Sequence, residues 1–323
     1  MRIGLLTSGG DAPGMNAAIR AVVRQADALG HEVWGIYHGY QGLLEGDMAL
    51  LPSRACANIL QRGGTMLHSA RCSDFHRLEQ RAVAAARLKD AEIEALVVIG
   101  GDGSFRAAEA LQREHGVACA GIPGTIDNDL PGTERTLGFD TALNTAVEAI
   151  DRIRDTASSH GRLFLVEVMG RSSGMLAVHT ALACGAEAVL YPESTEDSYE
   201  HLLSQLNAAW LRGKQSSIVV VAEGDAEGGR AMAVGERLRR DHALDLRVVV
   251  LGHVQRGGSP TAIDRIWGSR WGCEAVRRLD RGEQGFYVGE MAGALVAQPL
   301  SRILEPQPVP PGDLGRMVSI LAR

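Results

Sequence analysis

At 323 residues, 45% of them apolar, the chain is long enough for about two domains and too apolar to be disordered. A formal net charge of −6 gives no general attraction to nucleic acid or an acidic membrane surface, and 4% aromatic residues leave few stacking platforms for bases. Five scattered cysteines without a Cys-x-x-Cys argue against disulfide and zinc frameworks, and no apolar run approaches the roughly 18 residues of a membrane span, so a soluble cytoplasmic protein is expected.

Taken in chain order, "RIGLLTS", "HEVWGIY", "EALVVIGG", "VACAGIPG", "RLFLVEVMG", "AEAVLYPE", "SSIVVVAEG" and "LRVVVLGHV" read as buried strands. Between most of them apolar residues recur at helical spacing. Met15, Ala18, Ile19, Val22 and Val23 form one stripe; Leu143, Val147, Ile150 and Ile153 form another. Such alternation predicts α/β layers on mainly parallel sheets. "PQPVPPGD" near the C-terminus reads as a turn or surface connection. Five of the strands end in Gly followed by polar residues. Ligands of open parallel sheets bind outside the strands' carboxyl ends, so these ends are expected to line one cleft or two.

The first such end is "SGGDAPGMNAAIR". Gly9 and Gly10 let the backbone approach a ligand, Asp11 can cap the next helix and Pro13 suits its first turn. Free N–H groups there suit a phosphate; the plain alternative is an ordinary strand-to-helix turn. No Walker A loop and no G-x-G-x-x-G is present. In "GGDGS", Asp102 either anchors Mg²⁺ bound to phosphates or caps the helix that follows. In "PGTIDND", Asp127 and Asp129 sit two apart, so in an extended segment they would point the same way. One could take a hydroxyl proton while the other orients a sugar or a hydrated metal; Asx turns are the alternative. Arg162, Arg171, Arg247, His253 and Arg256 flank other strands, and Arg20 and Arg24 lie four apart on the first helix. Each is either a phosphate ligand or a solvated surface cation.

Together these blocks resemble the bacterial ATP-dependent 6-phosphofructokinase family over essentially the whole chain. The matching stretches are "TSGGDAPGMNAAIR", "QRGGT", "SAR", "VVIGGDGS", "PGTIDND", "GFDTALNTAVEAIDRIRDTASSHGR", "VEVMGR" and "LGHVQRGGSP". The resemblance implies two Rossmann-like three-layer domains with the active site in the cleft between them. It assigns 1–138 plus 251–301 to a larger ATP-binding domain and 139–250 plus 302–323 to a smaller fructose 6-phosphate-binding domain. The implied reaction moves the ATP γ-phosphoryl group to the 1-hydroxyl of fructose 6-phosphate, with Mg²⁺, in the committed step of glycolysis. By the same resemblance Asp127 is the base, with Asp129 beside it, and Thr125 and Arg171 steady the transferring group. Gly10, Arg71, Cys72, Gly101, Asp102, Gly103 and Ser104 form the ATP site, with Asp102 the Mg²⁺ anchor. Met169, Gly170, Glu223, His253 and Arg256 hold the sugar phosphate, joined by Arg162 and Arg247 from a neighbouring subunit of a homotetramer.

The resemblance also bears on donor and regulation. Pyrophosphate-dependent relatives typically carry an acidic residue at the position of Gly103 and a Lys at that of Gly124, so two glycines point to ATP. A pyrophosphate-dependent enzyme and a non-catalytic regulatory subunit are the alternatives, and Asp102, Asp127, Arg171 and Arg256 all stand against the second. An effector site for ADP or GDP and phosphoenolpyruvate is implied at Arg20, Arg24, Arg154, Gly185, Glu187, Arg212 and Lys214, with Glu187 binding Mg²⁺. This chain departs from that pattern at Asn58, where the family has Asp, at Ser53, where it has Arg with Arg54 next in line, and at Cys72, a common aromatic position near adenine.

Overall fold

All eight apolar runs form strands in a computed structural model of the chain, which describes residues 1–160, 162–194, 199–224, 229–310 and 312–322. The elements run β1 (Arg2–Ser8), α1 (Met15–Ala28), β2 (Glu32–Ile36), α2 (Gly39–Glu45), β3 (Met48–Leu50), α3 (Leu78–Asp90), β4 (Ala95–Gly100), α4 (Asp102–His115), β5 (Ala118–Thr125) and β6 (Leu137–Gly138). They continue as α5 (Phe139–His160), β7 (Leu163–Val168), α6 (Met175–Cys184), β8 (Ala188–Leu190), α7 (Tyr199–Leu211), β9 (Ser217–Ala222), α8 (Arg230–His242) and β10 (Leu246–Val250). The chain ends with α9 (Ala262–Asp280), β11 (Phe286–Met291), β12 (Ala294–Pro299) and α10 (Gly312–Leu321). Residues 306–310 are irregular, as the Pro-rich pattern predicts; Pro311 lies outside the described residues.

The chain divides into two compact units, Met1–Thr141 with Arg256–Gln307, and Ala142–Gln255 with Pro308–Arg323. In the first, an eight-stranded sheet has the order β12-β11-β5-β4-β1-β2-β3, with β6 paired to β5. Its centre is parallel, and β3 and β12 pair antiparallel at the edges. Leu43, Leu88, Phe105 and Leu111, from α2, α3 and α4, pack against Leu6, Leu96 and Val98 on one face. The alternate side chains, such as Ile99, meet Met15 of α1 on the other, and β4 is buried at every position. The β11–β12 hairpin and the short β3 and β6 are additions to the sequence reading. The hairpin turns at Ala292–Gly293, both left-handed (φ 51° and 79°), the backbone of a two-residue primed turn, but without the Asn or Asp that usually signals it.

The second unit holds a wholly parallel four-stranded sheet in the order β10-β7-β9-β8. Alternation is strict. Phe164, Val166, Val168, Ile218, Val220 and Ala222 face α5, α6 and α10, while Leu163, Leu165, Val219 and Val221 face α7 and α8. A fully buried Val such as Val166 or Val220 contributes roughly 1.5–3 kcal/mol, so the paired stripes define the unit's layers. Among the described residues, no helix is long and apolar enough to cross a membrane.

Candidate active site

In the first unit the strand order reverses between β1 and β4, since the chain proceeds from β1 to β2 on one side and from β4 to β5 on the other. Ligands of doubly wound sheets bind at such a point, beyond the carboxyl ends. There Ser8 pairs with Gly100 and Gly100 with Pro123, so the loops bearing Gly10, Asp102 and Asp127 leave three adjacent strand ends. A Cβ built on Gly101 would lie 3.3 Å from Thr125 Cβ, and one on Gly9 would lie 3.5 Å from Ser104 Oγ. Arg71, exposed, and Cys72, half-buried, follow a loop pinned to the same end: Ser69 Oγ donates to the Gly9 carbonyl (2.8 Å) and Thr7 Oγ1 to that of His68 (2.6 Å). The fold thus brings the Gly10 and 101–104 loops to neighbouring strand ends, with Arg71 and Cys72 two and three residues beyond the pinned Ser69.

Several local expectations change. Asp11 does not cap α1. The cap position is Gly14, with φ 101° and no side-chain cap, and Pro13 precedes the helix, because the loop spends three more residues rounding the strand end. The Asp11 carbonyl instead accepts from Arg256 Nη1 at 3.2 Å. Asp102 is the first residue of α4 and makes no cap bond; its carboxylate accepts from Arg106 Nε at 2.9 and 3.0 Å. Asp127 and Asp129 do not lie in extended chain. Strand β5 ends at Thr125, and Asn128 is left-handed (φ 50°), a conformation Asn tolerates, so the two-residue periodicity does not apply. Both carboxylates are nonetheless buried, at 8% and 6% exposure. The turn is held internally: the Asp127 N–H donates to Thr125 Oγ1 (3.2 Å), Thr136 Oγ1 to the Thr125 carbonyl (2.6 Å) and Asn128 Nδ2 to the Glu134 carbonyl (3.1 Å).

Asp102 fits a metal that arrives with a phosphorylated ligand. Mg²⁺ takes oxygen donors, keeps several waters and is commonly held by one or two carboxylates plus phosphates. Among the described residues no cluster of three or more His, Cys, Asp or Glu forms an all-protein cage. Asp102 sits beside α4's free N–H groups and within reach of one guanidinium, a setting for bound phosphate and its counter-ion.

Gly10 reports on Arg256. A Cβ there would lie 2.5 Å from Arg256 Nη1, the far end of a flexible side chain. Gly10→Ala should therefore leave the melting temperature within about 2 °C while displacing the guanidinium, and a roughly tenfold rise in KM for the phosphorylated substrate is expected in steady-state assays.

In the second unit the ends of β10, β7 and β9 are neighbours. Met169, Gly170 and Arg171 follow β7, Glu223 follows β9, and His253 lies in the turn after β10. Glu223 Oε1 accepts the N–H groups of Gly170 (3.2 Å) and Arg171 (2.6 Å), which ties two strand ends together. Arg171 is exposed and left-handed (φ 55°), a strained backbone for a non-glycine residue of the kind that collects at ligand sites. Gln255, absent from the sequence reading though inside "GHVQRGGSP", is fully buried and its Oε1 accepts the Met169 N–H at 2.9 Å. Arg162 and Arg247 are not brought to this cluster. Arg162 precedes β7 and Arg247 is the second residue of β10, at the opposite end of the sheet, and they flank Asp245 at 3.5 and 2.6 Å.

Of the effector-like residues, Arg154 Nη2 donates to the Cys184 carbonyl (2.5 Å) and the Gly185 carbonyl (3.3 Å). Buried Glu187 accepts from Lys214 Nζ (3.0 Å) and the Ile218 N–H (2.6 Å), and Lys214 also donates to the Ala322 carbonyl (2.8 Å). Arg212 is exposed beside them in sequence. Arg20 and Arg24 belong to the first unit, on α1 near Cys56, whose thiol burial pushes up to about 11. Ser53 and Arg54 lie in the turn just before Cys56, and Asn58, two residues beyond it, is left-handed (φ 55°).

Glycine-lined carboxyl ends at a topological switch, with an Asp at a helix start and buried acids one strand over, define an α/β protein built to hold phosphorylated ligands. Residues 2–279 match the model of the phosphofructokinase family, and the chain belongs to that family. It is 56% identical over 304 residues to the ATP-dependent 6-phosphofructokinase 1 of a Thermus thermophilus strain, with 94% of each chain covered. It is 51% identical over 304 residues to the ATP-dependent 6-phosphofructokinase of Bacillus subtilis, again covering 94% of each. Phosphofructokinase from Saccharomyces cerevisiae superposes with a TM-score of 0.85 at 32% identity; the match covers 100% of this chain and 48% of the yeast chain, so this chain spans about half its length.

Proposed function

We propose that the chain is an ATP-dependent 6-phosphofructokinase, transferring the γ-phosphoryl group of ATP to the 1-hydroxyl of fructose 6-phosphate. The observation that carries the reading is the convergence of Gly10, Asp102 and Asp127 on adjacent ends of β1, β4 and β5. Phosphoryl transfer needs positioning and charge stabilisation more than covalent help. Backbone N–H groups of the 9–14 and 101–104 loops bind donor phosphates. Asp127 takes the proton of the attacking hydroxyl, with Asp129 beside it, and Thr125 and Arg171 steady the transferring group. Mg²⁺ accompanying ATP would be held at Asp102 and would neutralise phosphate charge. By the family resemblance Met169, Gly170, Glu223, His253 and Arg256 bind the sugar phosphate.

Arg162 and Arg247 lie at the wrong end of their own sheet for this role. That supports their donation to a neighbouring subunit's sugar phosphate in a homotetramer. The Arg154, Glu187 and Lys214 cluster, with Arg212, supports an effector site for nucleoside diphosphate and phosphoenolpyruvate. Saturating phosphoenolpyruvate is expected to shift the sugar-phosphate saturation curve; an unchanged curve would remove the regulatory reading. The reaction is tested by product formation from fructose 6-phosphate and Mg²⁺ with ATP and pyrophosphate as parallel donors. Turnover with ATP alone is expected. Turnover with pyrophosphate alone would move the donor assignment, and silence with both would favour a regulatory subunit.

A further inference from the structure

Asp264 lies outside every residue set assigned above, yet its carboxyl-bearing side chain is 2% exposed and hydrogen-bonded on both oxygens. It occupies the first turn of α9, whose cap is Thr261, five residues beyond Arg256. Its Oδ1 accepts the Gly138 N–H at 2.9 Å, and its Oδ2 accepts the Thr141 N–H at 3.0 Å together with the Thr141 hydroxyl. The Thr261 N–H donates to Thr141 Oγ1 (3.0 Å), and Thr261 Oγ1 donates to Asp140 Oδ2 (2.6 Å). A distant carboxylate thereby accepts the Gly138 and Thr141 N–H groups at the start of α5, a task normally done by a local cap.

What this clamp holds is the chemistry. Gly138 pairs with Thr125, two residues before Asp127. Gly138 is also left-handed (φ 96°), and a Cβ on it would lie 2.7 Å from Ala12 Cβ and 3.1 Å from both Pro13 Cδ and Ile126 Cγ2. It is wedged between the 9–14 loop and the 125–129 loop. On the far side, a Cβ on Gly14 would lie 3.3 Å from Asp264 Cβ. From the helix that follows Arg256, Asp264 thus hydrogen-bonds Gly138 beside the base loop and Thr141 of α5, while its Cβ stands against Gly14 of the phosphate loop. Burial, with a smaller push from neighbouring Asp140, raises its carboxyl to about 6 against the lowering by its three hydrogen bonds, so a carboxylate here carries a burial cost that a core Asn or Leu would not incur.

We propose that Asp264 is a positioning residue of the phosphoryl-transfer site, setting the register of the 125–129 loop against the 9–14 loop. The inference rests on the function proposed above. Misplacing a reacting group by about 1 Å can cost on the order of 10²-fold in rate. Asp264→Asn puts an amide N–H where a carboxylate oxygen accepted one, and it should lower kcat for fructose 6-phosphate phosphorylation by about 10–10²-fold with KM for ATP within about threefold. Turnover is expressed per folded molecule, counted by thermal unfolding. A kcat unchanged on that scale overturns the inference, as does a loss that only tracks unfolded protein. If Asp264→Asn does not fold, the milder pair decides: Thr141→Val removes one bond to the carboxylate and should lose several-fold in kcat, while Thr141→Ser should restore it. Equal kcat for Val and Ser overturns the inference. An inactive parent chain would sink the proposed function and this inference with it; an active parent with fully active Asp264→Asn sinks the inference alone.

Discussion

Asp127→Asn is expected to lower turnover by about 10²–10⁴-fold or more while leaving ATP affinity within about threefold. The substitution keeps the side chain's shape in a position only 8% exposed, so the Thr125–Asp127 turn and the buried packing around it survive. What is lost is the acceptor for the hydroxyl proton. A general base gives typically about 10²–10⁴-fold, and an Asn amide cannot substitute for it. The proposed ATP contacts lie at the β1 and β4 ends, which the change does not touch. Measurement of kcat together with nucleotide affinity separates the two effects. Activity above about a tenth of the parent's would remove Asp127 from the role of base.

Gly103→Asp should abolish most ATP use without harming the fold. A Cβ at this position meets nothing within 4 Å, so the side chain fits. Gly103 is second in α4, and an acid in a first helical turn stabilises by about 0.3–1 kcal/mol, so melting should hold or rise slightly. The new carboxylate would occupy the space above the phosphate loop. Two like charges about 4 Å apart repel by about 4 kcal/mol at an effective dielectric of 20; because the site is open to solvent, a fall of about 10²-fold in kcat/KM for ATP is the expected result. A value within about threefold of the parent would take Gly103 out of the nucleotide's path. Gly124 is a different case. A Cβ there would lie 3.0 Å from Met15 Cε and 3.1 Å from Ile99 Cγ2, so a Lys at 124 requires Met15 and Ile99 to give way and mixes a packing effect with any effect on the donor. The two glycines, one donor signal in the sequence, are separable in space: only Gly103 is a clean test.

Much of the site is legible in the sequence because its grammar is local. Strands with continuous apolar runs, each ending in Gly and a polar residue, mark parallel strand ends without any coordinates, and the resemblance assigns roles to the residues found there. The departures are local too. Residue type alone makes Asp11 a cap, but the cap falls three residues later at Gly14. A shared direction for Asp127 and Asp129 requires extended chain, whereas Asn128 turns it; the Asn itself is the available signal. Gln255 and Asp264 give no sequence signal because their importance lies in partners 86 and between 123 and 126 residues away.

Residue order therefore settles the α/β class and the strand ends, since apolar periodicity and glycine tolerance are properties of a few consecutive residues. Three things are decided only by tertiary structure. The strand order places β1, β4 and β5 side by side at the switch point. The direction of β7 and β10 separates Arg162 and Arg247 from the other sugar residues of the same unit. The α9 start brings a buried carboxylate onto Gly138 and Thr141. Each depends on which distant segments pair, and pairing is set by the burial of whole faces rather than by any short stretch of chain.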